Sequence, residues 1–152
     1  SYRDVTVPPA RAVLGAVVPV GSVAPDFTLD GIDGSGRPGG RGRWALHDLR
    51  GRVVVLVFYP ADASPVCTAQ LISYTNDIGR FDELGAWVLA ISPQSVEAHE
   101  AFARQHGGFG FPLLADVDRE VARRYGVLGP LGFYRRSVIV VDAEGIVRYA
   151  HR

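Results

Sequence analysis

The sequence predicts an α/β domain with a central mixed β-sheet and helices on both faces. Two observations carry the prediction. Residues 53–59 (VVVLVFY) form a continuous β-branched and aromatic run, the pattern of a strand buried on both faces in a parallel sheet. A helix-period stretch at 66–84 and a further strand at 87–91 (WVLAI) follow, the order of a right-handed βαβ unit. A length of 152 residues suits one domain, because a chain of about 150 residues buries roughly 70% of its unfolded surface in a single core. Apolar content of 47% against 21% charged places the chain among globular proteins and away from global disorder.

Each element has its own signal. Residues 1–20 read as an extension, whose apolar stretch is expected to lie on the domain as a strand or arm. Residues 21–29 (GSVAPDFTL) are short and partly alternating, with Pro25 placing them at a sheet edge. Residues 31–42 (GIDGSGRPGGRG) are glycine-dense and read as a flexible surface loop. Gly34, Gly36 and Gly39 spell G-x-G-x-x-G, but Pro38 interrupts it and more glycine follows, so the strand and helix of a dinucleotide fingerprint are missing. In the 66–84 stretch Leu71, Tyr74, Ile78 and Phe81 fall on one helical face. A second helix is expected over 95–106 with Val96 and Phe102 inward, a short strand at 111–114 and a short helix at 118–125. Strands at 138–141 and 146–149 flank Asp142, Ala143, Glu144 and Gly145, a hairpin turn with glycine where a positive φ is needed.

Composition removes several function classes. Sixteen acidic residues balance sixteen basic ones, all of the latter arginine. A neutral chain gives no electrostatic case for nucleic acid or an anionic membrane surface. The four histidines, His47, His99, His106 and His151, are scattered, and there is one cysteine. That ligand set predicts no metal site, since structural zinc takes four ligands from cysteine and histidine, and no resident cofactor is expected. No run of about 20 apolar residues is present, so no membrane-spanning helix is expected. A cytoplasmic location follows by default. Methionine is absent, which suggests that Ser1 is not the natural start.

Cys67 lies where the buried strand gives way to a helix. Ser64, Pro65, Val66 and Cys67 read as N-cap and first turn, since serine caps and proline is favoured at the first helical position. A thiol there sits near the positive end of the helix dipole and within reach of unpaired backbone N–H groups. Both favour thiolate, the nucleophilic form. Taken alone, a single cysteine is more often a buried small hydrophobe, just as an arginine is more often a surface ion pair and a serine a simple cap.

The spacing of Pro60, Ser64 and Cys67 is P-x-x-x-S-x-x-C, which resembles the active-site signature of the peroxiredoxins, P-x-x-x-T/S-x-x-C. The resemblance runs over residues 21–149. VGSVAPDFTL is similar to the family's opening, LHDLRGR to its S-L-x-D-x-R/K-G segment, and VVVLVFYP to its strand into the site. LAISPQS, FPLLADVDREVARRYGV and RRSVIVVDAEGIVR are similar to later segments, the last placing the family's arginine on Arg136 rather than Arg135. By wording it stands nearest the bacterioferritin-comigratory (Q-type) and one-cysteine bacterial branches. The resemblance implies a thioredoxin-like fold and a thiol-dependent peroxidase. Cys67 would attack the peroxide, the Ser64 hydroxyl would hydrogen-bond thiolate and peroxide, Arg136 would stabilise both charges, and Pro60 would shape the loop and shield the sulfur.

Two departures shape the expectation. The Q-type resolving cysteine, five residues after the first, is replaced by Ile72, and Gln70 stands where many members carry glutamate. With no second cysteine, the sulfenic acid would need an external thiol, a thioredoxin-like protein or a low-molecular-weight thiol. Two other readings compete: a thioredoxin-like disulfide oxidoreductase, in which Ser64 would replace the first thiol of C-x-x-C, and a non-catalytic redox-sensing domain. The family's closing helix would follow Arg152. The domain at 21–152 is therefore expected to leave part of one sheet face uncovered, with residues 13–20 folding over it or packing on a neighbouring chain to give a homodimer.

Overall fold

Alternating strand and helix periods fold into one sheet with helices on either side. A computed structural model describes residues 16–62, 64–76 and 83–152, without the side chain of Tyr74. The elements are β1 (Thr28–Ile32), β2 (Arg41–Ala45), β3 (Val53–Phe58), α1 (Pro65–Asn76), β4 (Ala86–Ser92), α2 (Val96–Gln105), β5 (Leu113–Ala115), α3 (Glu120–Tyr125), β6 (Ser137–Val141) and β7 (Val147–His151); a 3-10 turn at Leu46–Leu49 precedes β3. The seven described strands form a single sheet in the order β2-β1-β5-β4-β3-β6-β7. Its centre, β5-β4-β3, is parallel, and antiparallel pairs extend it on both sides.

Strand β3 occupies the middle because its sequence has no polar side. Val54, Leu56 and Phe58 face Val121, Ala122 and Tyr125 of α3, while Val55, Val57 and the following Tyr59 face Leu71 of α1 and Phe102 and Ala103 of α2. Leu56 is fully buried, so truncation to alanine would cost about 2–5 kcal/mol. Crossovers β3-α1-β4 and β4-α2-β5 put both longer helices on the second face, and α3 covers the first. Helix α2 is capped by the Ser95 side chain, which accepts from the Ala98 N–H. Helix α3 is started by the buried Asp116 carboxylate, which accepts from the N–H groups of Val121 and Ala122.

The structure refines the sequence reading at three places. The segment 21–29 divides at Pro25: Val23 bridges Ile146, just before β7, the outermost strand of the sheet, whereas Thr28 and Leu29 begin β1, which lies inside the sheet between β2 and β5. The glycine-dense segment is not a free loop. Its ends lie in β1 and β2, and its middle packs closely, since a Cβ on Gly34 would stand 2.1 Å from the Phe111 carbonyl oxygen and one on Gly36 2.7 Å from the Arg104 nitrogen. Glycine serves there for close approach rather than for mobility. The described part of the N-terminal arm lies on the first face, where Val18 is buried and its N–H donates to the Tyr125 carbonyl at 3.0 Å. Partly buried apolar strand positions remain on both faces, Leu29, Trp44 and Ala150 on the first and Val138 and Val140 on the second.

Other boundaries move modestly. The helix expected over 66–84 is described as Pro65–Asn76; Ile78, Phe81 and the Tyr74 side chain lie outside the described residues. The closing hairpin forms as expected, with Gly145 at φ +85° in its turn.

Candidate active site

The register of the sheet builds the site. Residue pairing between antiparallel β3 and β6 ends with Phe58 opposite Ser137, so Arg136 stands level with the point where β3 runs out toward α1. Side chains alternate along a strand, and Val138 belongs to the second face. Arg136, two residues earlier, therefore points to the face that carries α1, and Arg135 does not. The guanidinium Nη1 donates to Cys67 Sγ at 3.2 Å and to Gln70 Oε1 at 3.4 Å.

Cys67 is fully buried and unbridged. It is the third residue of α1, and the next residue's N–H, that of Thr68, donates to the Ser64 carbonyl at 2.8 Å. The N–H groups of the first helical residues have no partner within the helix, so the sulfur has both the helix terminus and a guanidinium for company. Hydrogen bonds from ionised donors are the stronger class. Such surroundings suit a sulfur anion, and later a negative charge moving onto an adjacent oxygen. Gln70 gives Arg136 a neutral acceptor, so the guanidinium's charge is not countered there.

Of the four residues singled out in the sequence, the structure brings Arg136 directly to Cys67. Pro60 follows Tyr59 at the end of β3, and the half-buried Ser64 stands immediately before α1. Among the described residues, the hydroxyl of Ser64 makes no hydrogen bond to the sulfur. Ile72 is 42% exposed on α1.

Sequence reasoning did not find the polar cluster beside this site. The Tyr59 hydroxyl donates to Asp62 Oδ1 at 2.7 Å, and Asp62 Oδ2 faces His99 Nδ1 at 2.8 Å. His99 Nε2 stands 3.0 Å from the Leu114 carbonyl oxygen and 3.4 Å from Ser92 Oγ. Burial, with the Asp62 carboxylate next in weight, pushes the Tyr59 phenol well above its ordinary range, so it remains a donor. The missed signal was helical spacing: His99 shares one face of α2 with Val96, Phe102 and Ala103. No group of three or more histidine, cysteine or carboxylate side chains suited to a metal occurs among the described residues.

Residues 20–150 match the AhpC/TSA family. The chain is 39% identical to peroxiredoxin-2 of Cricetulus griseus over 137 residues, 85% of this chain and 67% of that protein. It is 34% identical to the chloroplastic peroxiredoxin Q of Sedum lineare over 153 aligned positions, 99% of this chain and 78% of that protein. Among solved structures, AhpC of Mycobacterium tuberculosis superposes with a TM-score of 0.82 at 24% identity, covering 90% of this chain and 87% of that one. That likeness shows the thioredoxin-like α/β fold.

Proposed function

Because the chain belongs to the AhpC/TSA family of peroxiredoxins, we propose that it is a thiol-dependent peroxidase that works through Cys67 by a one-cysteine mechanism. The observation that carries this reading is the 3.2 Å contact between Arg136 Nη1 and Cys67 Sγ at the start of α1. The thiolate sulfur attacks one peroxide oxygen, an S–O bond forms and the O–O bond breaks. The sulfur is oxidised by two electrons to sulfenic acid, and the departing oxygen takes a proton to leave as water or an alcohol. Arg136 offers N–H donors to the sulfur and to the charge on the departing oxygen. The Ser64 hydroxyl would orient the peroxide, and Pro60 would keep water from the sulfur.

These 152 residues hold one cysteine, and in this reading the sulfenic acid is returned by external thiol. The first thiol displaces water to form a mixed disulfide, and a second releases Cys67. A buried sulfur cannot meet a bulky thiol directly, so the first turn of α1 must move during this half of the cycle. The reductant is a thioredoxin-like protein or a small thiol, and the setting the cytoplasm, where thiols are kept reduced; no described helix is long and apolar enough to cross a membrane. The homodimer belongs to the same reading, supported by exposed Leu131 and Phe133 close before Arg136 in sequence.

Steady-state peroxide consumption with a monothiol or a thioredoxin as donor tests the proposal. Turnover by the wild type and none by Cys67→Ser is expected. Disulfide reduction without peroxide consumption would favour the oxidoreductase reading, and neither activity would favour a sensor.

A further inference from the structure

The buried cluster beside the site has a proton count that its geometry fixes. Both ring nitrogens of His99 face oxygen acceptors, the Asp62 carboxylate at 2.8 Å and the Leu114 carbonyl at 3.0 Å. The carbonyl can only accept, so Nε2 carries a hydrogen. The short contact on the other side then requires one proton between Nδ1 and Asp62 Oδ2, whichever atom holds it. His99 is fully buried, the Asp62 side chain is 5% exposed, and an unmatched pair of acceptors there would be costly.

Each partner comes from a different element. His99 lies on α2, Leu114 on β5, Ser92 at the end of β4, Tyr59 just beyond β3, and Asp62 in the stretch that joins β3 to α1. Asp62 stands between Pro60 and Ser64 in sequence, ahead of Cys67. We propose that His99 is a positioning residue for the peroxide reaction, tying the stretch before α1 to α2 and β5 through Asp62 so that Pro60 and Ser64 are held beside the sulfur. Tyr59 completes the tie by donating to the second carboxylate oxygen. The proposal rests on Cys67 being the peroxide-reactive thiol.

The chemistry of the tie selects the variants. Asp62→Ala and His99→Leu each cut it. Asp62→Asn preserves it, because the amide oxygen accepts from Tyr59, the amide N–H donates to a neutral Nδ1, and Nε2–H still donates to Leu114. Two rates are followed in each folded variant: oxidation of Cys67 by hydrogen peroxide and its alkylation by iodoacetamide. Peroxide oxidation should fall at least roughly tenfold in Asp62→Ala and in His99→Leu, by the precision that bound geometry demands, while alkylation stays within about twofold. Asp62→Asn should stay within about threefold of wild type in both, and the double variant should be no slower than either single one.

Wild-type peroxide rates in Asp62→Ala and His99→Leu, or full additivity in the double variant, would overturn the tie while leaving the role of Cys67 intact. If His99→Leu fails to fold, the contrast between Asp62→Ala and Asp62→Asn decides alone: equal rates overturn the proposal. Wild-type Cys67 that ignores peroxide would overturn both readings.

Discussion

Arg136 reaches the sulfur of Cys67, at 3.2 Å, through a register relationship: its neighbour Ser137 is the β6 residue paired with Phe58, the last residue of β3. One strand thus delivers the helix that carries the thiol, and its antiparallel neighbour delivers the cation. A one-residue slip would turn Arg136 to the opposite face.

Replacing Arg136 with alanine should slow oxidation of Cys67 by peroxide at least tenfold, about 1.4 kcal/mol of barrier. Arg136→Lys should recover only part of this, since a single ammonium cannot reproduce the guanidinium's fixed pair of donors. Gln70→Ala, which removes the acceptor at 3.4 Å, should have a smaller effect. Stopped-flow oxidation rates decide the order, and Arg136→Ala at the wild-type rate would contradict it.

Much of this site was legible in the sequence, for separable reasons. The start of α1 at Pro65, with Cys67 two residues later, announces itself locally, because proline at the first helical position is a matter of neighbouring residues. The β3 run announces itself by lacking any polar residue. Arg136 could be chosen over Arg135 only by resemblance, since the deciding fact is a long-range register. The glycine-dense segment was misread because glycine looks the same in a mobile loop and in a tight approach; the Phe111 carbonyl that excludes a side chain at Gly34 is distant in sequence. The tie from His99 to Asp62 spans α2 and the entrance to α1, and no local pattern reports it.

Gly126 ends α3 at φ +69°, where an added Cβ would stand 1.8 Å from the Ala16 carbonyl oxygen. Gly126→Ala is therefore expected to destabilise the fold by at least about 1–3 kcal/mol, the cost of a strained backbone position. Urea or thermal unfolding measures it. An unchanged midpoint would mean that residues 16–18 do not pack on α3.

Asp142 gives stability a defined dependence on acid. Burial pushes its carboxyl up, but the N–H of Ile146, the Arg148 guanidinium and the N–H of Glu144 outweigh it and hold the group below its ordinary value of 3.8. A carboxyl depressed in the folded state stabilises fully above its unfolded value and loses that contribution as pH falls through the folded one. The melting temperature should therefore fall as pH drops below about 4, and Asp142→Asn should flatten that fall while lowering stability at pH 7. Identical acid limbs in variant and wild type would exclude Asp142 as their source.

The central claim is that Cys67 takes one oxygen from peroxide and, with no second cysteine among these 152 residues, holds it as sulfenic acid. Intact-mass and peptide mass spectrometry after one equivalent of hydrogen peroxide, with dimedone present, tests it most directly. One dimedone adduct on Cys67 is expected on chains that carry no disulfide, with its loss when a thiol reductant is added before the trap and a much slower reaction in Arg136→Ala. A Cys67 that remains an unmodified thiol while peroxide persists would contradict it.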